Sequence, residues 1–232
     1  MKTKRLLLTG LSCVLLLTLT ACAVTSAPAN PPVSAPAAAA PALQETANKK
    51  ILIAYFSRAD NTIVRDPSAV DIQATTSASL LPPGNVTIMA QLIQQHAGGD
   101  LFAIKVQQPY PENYEQVLNQ ASDEAVKNAR PPLASHVENM ADYDIIFLGY
   151  PNWDYGAPMA VRTFLEEYDL SGKLIIPFCA HGTGGLSSSV RQISQSVPHS
   201  TVGTPIGISR TDMDKASQLI ENWLSTLSYE KK

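Results

Sequence analysis

The amino-acid sequence predicts an α/β fold built on a doubly wound, five-stranded parallel sheet with helices on both faces. Continuous apolar runs bounded by turn residues, such as 145–150 and 174–179, are typical of parallel strands that are buried on both faces. A segment with helical spacing of apolar residues follows each run, and this alternation of strand and helix indicates successive βαβ units. These two observations carry the fold prediction.

The predicted elements follow one another in order from residue 49 to the end of the chain. Strands are predicted at 51–56, 101–106, 145–150, 174–179 and 201–208. Helices are predicted from about 86, at 111–130, at 161–168, through 190–193 and from 211. The second helix is expected to stop at Arg130 because two prolines follow it. The last helix is expected to begin at Thr211, with Asp214 three residues on in a capping-box pattern.

The first 48 residues differ in composition from the rest. Residues 1–21 combine a basic start, an apolar stretch and small residues, which is the layout of a secretory signal. The position of Cys22 resembles a bacterial lipobox, in which this cysteine is acylated; the alternative is an ordinary signal cut near Ala21 or Ala27. Residues 22–48 are rich in Ala and Pro and are expected to form a tether. We therefore expect a domain at 49–232, lipid-anchored to the membrane outside the cytoplasm.

Charge and cysteine usage exclude several classes of function. Without the three basic residues of the signal, 14 basic residues remain against 20 acidic ones, a net charge of −6. With no basic cluster, nucleic-acid binding is not expected. Cys179 is the only cysteine in the sequence of 49–232, so no internal disulfide is predicted, and an inert buried thiol is the favoured interpretation. The histidines lack ligand partners at metal-binding spacing, so no metal site is predicted.

Two predicted strands run directly into loops suited to a flat aromatic ligand, and ligands bind at such strand ends in open α/β sheets. The first loop offers aromatic faces on Trp153 and Tyr155, although either ring is also compatible with ordinary core packing. The second loop offers hydrogen-bonding groups for the edge of a ring, with a structural or surface role as the alternative for His181. The candidate contacts are Pro151, Asn152, Trp153, Tyr155, Gly156, His181, Gly182, Thr183 and Gly184.

Four blocks of sequence, in this order, resemble the flavodoxin family and its bacterial flavodoxin-like lipoprotein branch. They are ILIAYFSR at 51–58, GYPNW at 149–153, FLEEYDLSGK at 164–173 and IPFCAHG at 176–182. The resemblance covers essentially all of 49–228. It implies the strand order 2-1-3-4-5 and non-covalent FMN at the strand ends.

The resemblance also implies a phosphate-binding loop after the first strand, beginning at Ser57 and Arg58. In this chain Ala59-Asp60-Asn61-Thr62 replaces the usual Thr-Gly-Asn-Thr, and Asp60 brings a negative charge close to the expected phosphate position. The remainder of the site is expected at a helix start formed by Asn85, Val86 and Thr87, with a plain helix cap at Asn85 as the alternative. The insertion 63–83 separates the two parts and is either a binding loop or a cover for a sheet edge.

Three functions remain open at this point. The leading one is an FMN-dependent redox protein, a carrier or small reductase, that exchanges electrons with an unidentified partner. The second is an FMN-dependent quinone or NAD(P)H-type reductase, and the third is a flavin-free interaction module. Asp154, next to the candidate stacking rings, is expected to disfavour an anionic reduced flavin. Its alternatives are a position in water or a cap for a helix beginning at Ala157.

Overall fold

The computed structural model of the chain describes residues 49–227. The predicted signal, Cys22 and the tether lie outside the described residues. Within 49–227, no helix has the length and apolar character needed to cross a membrane.

A parallel sheet forms the centre of the domain. Its strands are β1 (Ile51–Tyr55), β2 (Asp100–Ala103), β3 (Ile145–Pro151), β4 (Leu174–His181), β5 (Thr201–Val202) and β6 (Ile206–Ser209). The order is β2-β1-β3-β4-β5, with β6 also paired to β4, and every pairing is parallel. The predicted fold and strand order are confirmed, although the second strand ends earlier than the predicted 101–106.

The predicted fifth strand, 201–208, is wrong in one respect, because it is divided into β5 and β6. Pro205 lies in the gap between them, and Pro177 lies opposite this gap on β4. The pairing of β4 with β3 continues through Pro177 without a break. Proline has no N–H to donate in a ladder of hydrogen bonds. We infer that the position of the missing N–H of Pro177 faces β5 and β6, because the ladder is interrupted on that side of β4.

Helices cover both faces of the sheet. They are α1 (Asn85–Ala97), α2 (Tyr114–Val126), α3 (Met159–Glu166), α4 (Ser189–Ser196) and α5 (Ala216–Thr226). The side chains of β1 alternate, so that Ile53 packs in one core cluster with α1 and α5, while Leu52 packs in the other with α2, α3 and α4. This alternation with period two gives a strand that is buried on both faces.

Two predicted helix ends are wrong. The helix α2 ends at Val126 and not at Arg130, because Asn128 adopts a left-handed conformation with φ of 49°. The segment Arg210–Lys215 forms a 3₁₀ helix before α5, and Ser209 caps it by accepting from the Thr211 backbone N–H. The predicted capping box at Thr211 is therefore also wrong.

Candidate functional site

One cavity of about 460 Å³ lies at the carboxyl ends of the strands, a volume in the usual range for a cofactor site. Most of the predicted site residues line it: Arg58, Asn85, Pro151, Asn152, Trp153, Tyr155, His181, Gly182, Thr183 and Gly184. The remaining predicted residues lie outside the lining: Ser57, Val86, Thr87 and Gly156. The structure thus brings the two strand-end loops and the start of α1 to one place.

A tight hairpin presents the aromatic side chains of the first loop. The backbones of Trp153 and Gly156 exchange two hydrogen bonds of 2.9 Å, which close a turn around Asp154 and Tyr155. Both central residues have positive φ, 45° and 61°, a geometry that Asn and Gly usually occupy. The side chain of Tyr155 is 68% exposed at the tip. Left-handed conformations of bulky residues are strained, and such strain concentrates at ligand sites.

The Trp153 ring has two environments. It packs edge-on against Phe56 and Tyr110, with ring centroids 5.3 and 5.0 Å apart, and it is partly buried against the core. The same residue lines the cavity. The core-packing interpretation of Trp153 is confirmed, and ligand contact stays a prediction for a ring that the core holds in place at the cavity wall.

Hydrogen bonds join the two strand-end loops to each other. The Asn152 side chain donates from Nδ2 to the carbonyl oxygen of Gly185, at 2.6 Å, and Ser188 Oγ donates to the carbonyl of Tyr155, at 2.7 Å. Gly156 faces α4 so closely that an added Cβ would lie 2.6 Å from Gln192 Oε1. Gly156 therefore packs closely against α4, and its contact with a ligand stays a prediction.

The end of β4 adds a titratable group and a nearby cation. His181 Nδ1 lies 2.8 Å from the carbonyl oxygen of Gly182, and Ser209 is its register partner on β6. Arg210 follows directly, is exposed, and lines the cavity. Sequence reasoning missed Arg210, although it comes just after a strand end, where ligand contacts are expected.

The two separated parts of the predicted phosphate loop meet in the structure. An added Cβ on Gly84 would lie 2.9 Å from Ser57 Oγ, so these residues touch across the insertion. Gly84 is the N-cap residue of α1, so the alternative of a cap at Asn85 is wrong; the Asn85 backbone N–H donates to Ser79 Oγ at 3.1 Å. Val86 is buried in the core.

Asp60 lies at the first turn of α1. Its Oδ2 accepts a hydrogen bond of 3.2 Å from Thr87 Oγ1, and its backbone N–H donates to Ser57 Oγ at 3.4 Å. Burial, and secondarily the charge of Asp60, raise the pKa of Tyr55. The helix start that sequence reasoning assigned to phosphate thus already holds a carboxylate.

Arg58 lines the cavity, but the hydrogen bonds of its side chain go to the backbone of the protein. Its side chain is buried, and its guanidinium donates from Nη1 to the carbonyl of Thr76, at 2.7 Å, and from Nη2 to that of Glu112, at 3.0 Å. Its Nε is buried without a partner among the described residues. Burial also lowers the pKa of Arg58. Through these two hydrogen bonds, the guanidinium links the insertion to the segment before α2.

Other parts of the lining were not predicted from the sequence. The insertion contributes Thr75, Ala78 and Ser79, which favours its interpretation as part of a binding loop. The helix α2 also lines the cavity, through Tyr114, Val117, Leu118 and Ala121, which share one face of the helix at helical spacing. Tyr114 and Leu118 remain 37% and 38% exposed there. Helical spacing alone does not distinguish a face that packs on the core from one that borders a cavity.

Three further predictions concern the Cys179 thiol, the role of Asp154 as a helix cap, and metal binding. Burial raises the pKa of the Cys179 thiol to about 12, so this cysteine has the properties of an inert core residue. The helix α3 begins after Pro158 and has no side-chain cap, so the alternative role of Asp154 as a cap is wrong. Across residues 49–227, no group of three or more His, Cys, Asp or Glu is placed to hold a metal ion.

Comparison with known proteins identifies the family. The flavodoxin family model matches residues 72–226. A protein from Bacteroides eggerthii DSM 20697, assigned as a flavoprotein, is 27% identical, with 79% of this chain and 100% of that chain covered and a TM-score of 0.58. The flavoprotein from Lactobacillus acidophilus NCFM in complex with FMN is 18% identical, with 73% and 99% covered and a TM-score of 0.52, and shares the fold.

No curated protein was found to match the sequence. The family model nevertheless spans more than half of the chain, from the insertion to the end of α5. Family and fold together suggest a flavin cofactor and a redox function. The chain belongs to the flavodoxin family.

Proposed function

We propose that this domain binds one FMN non-covalently and transfers electrons through it. The observation that carries the proposal is the single cavity shared by the two strand-end loops and the start of α1. It combines aromatic faces, backbone donors and a helix N-terminus, which match the ring, the ring edge and the phosphate of FMN. The FMN bound by the related Lactobacillus acidophilus flavoprotein supports this choice of flavin.

Each part of the cavity has a distinct task in this proposal. Trp153 and Tyr155 would contact the ring, and the loop from His181 to Gly184 would offer hydrogen bonds to its edge. Asn85, at the start of α1, would stand at the phosphate end of the cavity, with Ser57 buried behind the lining. Bound FMN would supply reversible transfer of one or two electrons. The protein would hold the ring and shield its faces from water, with the Trp153 ring fixed by Phe56 and Tyr110.

A second function, reduction of a flat apolar substrate such as a quinone, is favoured by one feature. The α2 stripe presents Tyr114 and Leu118 to the cavity, and these side chains are only partly covered. A one-electron carrier has no need of such a wall. Steady-state turnover with a quinone and a chemical or enzymatic electron donor separates a reductase from a carrier.

We further propose that the domain is held at the outer side of the cytoplasmic membrane or at another surface of the cell envelope. The support is the sequence layout of residues 1–21 and the position of Cys22. Changing Cys22→Ser should release or mislocalise the protein, whereas Cys13→Ser, a matched change within the signal, should not. A mature N-terminus downstream of Cys22, found by mass spectrometry, would refute the anchor and leave the flavin proposal intact.

The flavin proposal is tested by spectroscopy on the full chain purified in mild detergent. We expect a yellow protein whose flavin, once removed, is replaced by FMN at one per chain and more tightly than by FAD. Denaturation should release the flavin, because no covalent link is proposed. A colourless protein that shows no spectral change when titrated with FMN would contradict the proposal and favour a flavin-free interaction module.

A further inference from the structure

A buried tyrosine that the proposed function does not use lies directly behind the aromatic wall of the cavity. Tyr110 is 3% exposed, and its ring centroid lies 5.0 Å from that of Trp153 in an edge-on arrangement. Trp153 itself lines the cavity, whereas Tyr110 does not. The two rings thus form a continuous aromatic path from the cavity into the core.

The hydroxyl of Tyr110 is bonded to a carboxylate. It donates to Glu124 Oε2 at 2.8 Å, and Glu124 Oε1 accepts from Gln120 Nε2 at 2.9 Å. Burial, and secondarily the charge of Glu124, raise the pKa of Tyr110, so its hydroxyl keeps its proton in the resting protein. Glu124 belongs to α2 and is half-buried, so a proton that it receives can pass to water.

This arrangement suits oxidation of Tyr110 by one electron. A phenol that loses an electron becomes a strong acid, so the electron and the proton leave together when a base accepts the hydrogen bond. Bound FMN that has absorbed blue light is a one-electron oxidant of aromatic side chains. We propose that Trp153, Tyr110 and Glu124 form a relay that carries oxidation away from the cavity and ends as a neutral radical on Tyr110. The relay rests on the proposed function and goes beyond it, because it adds a redox-active side chain that does not touch the ligand.

The steps of the relay balance in electrons and protons. Trp153 loses one electron to the oxidant in the cavity. Tyr110 then gives one electron to Trp153, and its hydroxyl proton moves to Glu124 Oε2, which becomes part of a neutral carboxylic acid. The net change is one electron transferred from Tyr110 to the oxidant and one proton transferred from Tyr110 to Glu124.

Other tyrosines have only one of the two features that the relay requires. Tyr114 and Tyr155 line the cavity, but within residues 49–227 no carboxylate accepts a hydrogen bond from either hydroxyl. Tyr143 donates to Asp100 Oδ2 at 2.8 Å, a pair of the same chemistry, but it lies at the amino ends of the strands and outside the cavity lining. Tyr155 is therefore the control for a position at the cavity, and Tyr143 is the control for the bonded pair.

The test is illumination of the full chain, purified in mild detergent and loaded with FMN. A soluble cobalt(III) complex takes up the electron, so that the radical on the protein persists. Samples frozen after blue light should show a tyrosyl radical by electron paramagnetic resonance. Transient absorption should show that the radical forms more slowly in deuterated water, because a proton moves with the electron.

Four variants, each shown by titration to be loaded with FMN, assign the radical to its residue. Tyr110→Phe keeps the ring and should lose the tyrosyl signal, and Glu124→Gln keeps an acceptor for the hydroxyl but takes no proton, so it should lose most of the signal. Tyr143→Phe and Tyr155→Phe should keep the signal of the unmodified protein. A full signal in Tyr110→Phe, or its loss in Tyr155→Phe, would overturn the relay.

Two measurements keep the relay testable if Tyr110→Phe fails to fold. Glu124 is half-buried at the edge of α2, and a Glu124→Gln protein with an unchanged signal would overturn the relay. In the unmodified protein, a tryptophan radical without a tyrosyl radical would overturn the relay and leave the proposed function standing. A protein that binds no FMN would overturn both.

Discussion

The ring end and the phosphate end of the cavity are constructed in different ways. At the ring end, each loop follows its strand without interruption, and side chains such as Tyr155 remain exposed. At the phosphate end, the parts are separated by an insertion of about twenty residues and meet through buried or half-buried polar groups. Ser57 touches Gly84, and Asp60 is bonded to Thr87.

This difference indicates where each end derives its shape. The ring end is shaped by strained backbone and by bonds between adjacent loops, so it presents free surfaces to a ligand. The phosphate end is shaped by polar groups that already bond to other parts of the protein, as Asp60 does to Thr87 and Arg58 does to Thr76. Changes at the phosphate end should therefore act mainly on the stability of the fold, and changes at the ring end mainly on the affinity and potential of the flavin.

The largest expected effect is at Asn61, a buried residue that joins the loop after β1 to the segment after β2. Its Nδ2 donates to the carbonyls of Ser57 and Ile104, at 2.9 and 3.0 Å, and its Oδ1 accepts from Val106 N–H at 2.8 Å. Asn61→Leu leaves three buried groups without partners, which should cost about 3 kcal/mol in the free energy of unfolding. Chemical denaturation measures this loss.

Asn113 provides the matched control. It accepts one hydrogen bond, from the Gln116 backbone N–H, at the exposed start of α2. Asn113→Ala should cost about 1 kcal/mol, the usual value for an N-cap. Equal losses at the two asparagines would mean that the polar groups of the phosphate end are no more important for stability than an ordinary helix cap.

The second effect concerns Trp153 at the ring end. Trp153→Ala removes an aromatic wall of the cavity, which should raise the dissociation constant of FMN about fivefold, since an aromatic contact contributes about 1 kcal/mol beyond burial. Trp153→Phe keeps a ring and should recover most of the affinity. The measurement is a fluorescence titration with FMN. Unchanged affinity in the alanine variant would assign Trp153 to the core alone.

Much of this comparison could be anticipated from the sequence. The strand-end loops were found because buried parallel strands have a clear apolar pattern and ligands bind where they end. The start of α1 was placed correctly because Gly84 and Asn85 precede a helical pattern. These features depend on residues that are close together in the chain.

The features that were missed depend on residues that are far apart. Arg58 was expected at the phosphate, but it bonds to residues 18 and 54 positions away. The three bonds of Asn61 have the same character, and the division of the last strand depends on Pro177 in another strand. No local pattern records such pairings, since they arise only when the sheet is assembled.

The third expected effect concerns Tyr155, where backbone strain and ligand contact can be measured separately. Tyr155→Gly relieves a left-handed conformation, which should stabilise the fold by about 1 kcal/mol, while the loss of the exposed ring should weaken FMN binding a few-fold. Thermal unfolding without flavin and an FMN titration measure the two changes. Tyr155→Phe, which keeps both the ring and the strain, should change neither. A destabilised glycine variant would show that the hairpin depends on the tyrosine side chain.

The smallest expected effect concerns the two opposite charges that line the ring end, Asp154 and Arg210. Full reduction places negative charge on a flavin ring, so a nearby carboxylate lowers the potential of that step and a nearby cation raises it. Both side chains belong to exposed residues, and exposed charge pairs contribute roughly 0.2–1 kcal/mol. This energy corresponds to about 10–40 mV for one electron, given that about 1.4 kcal/mol is 59 mV.

We therefore expect Asp154→Asn to raise the potential of the final reduction step by about 10–40 mV, and Arg210→Gln to lower it by a similar amount. Both shifts should shrink with added salt, because exposed charges are screened. The Asp154→Asn variant should not melt at a different temperature, since Asp154 caps no helix. Redox titrations in low and high salt measure the shifts. If the two variants moved the potential in the same direction, charge could not be the cause, and a change in the shape of the hairpin or of the loop after β6 would have to explain it.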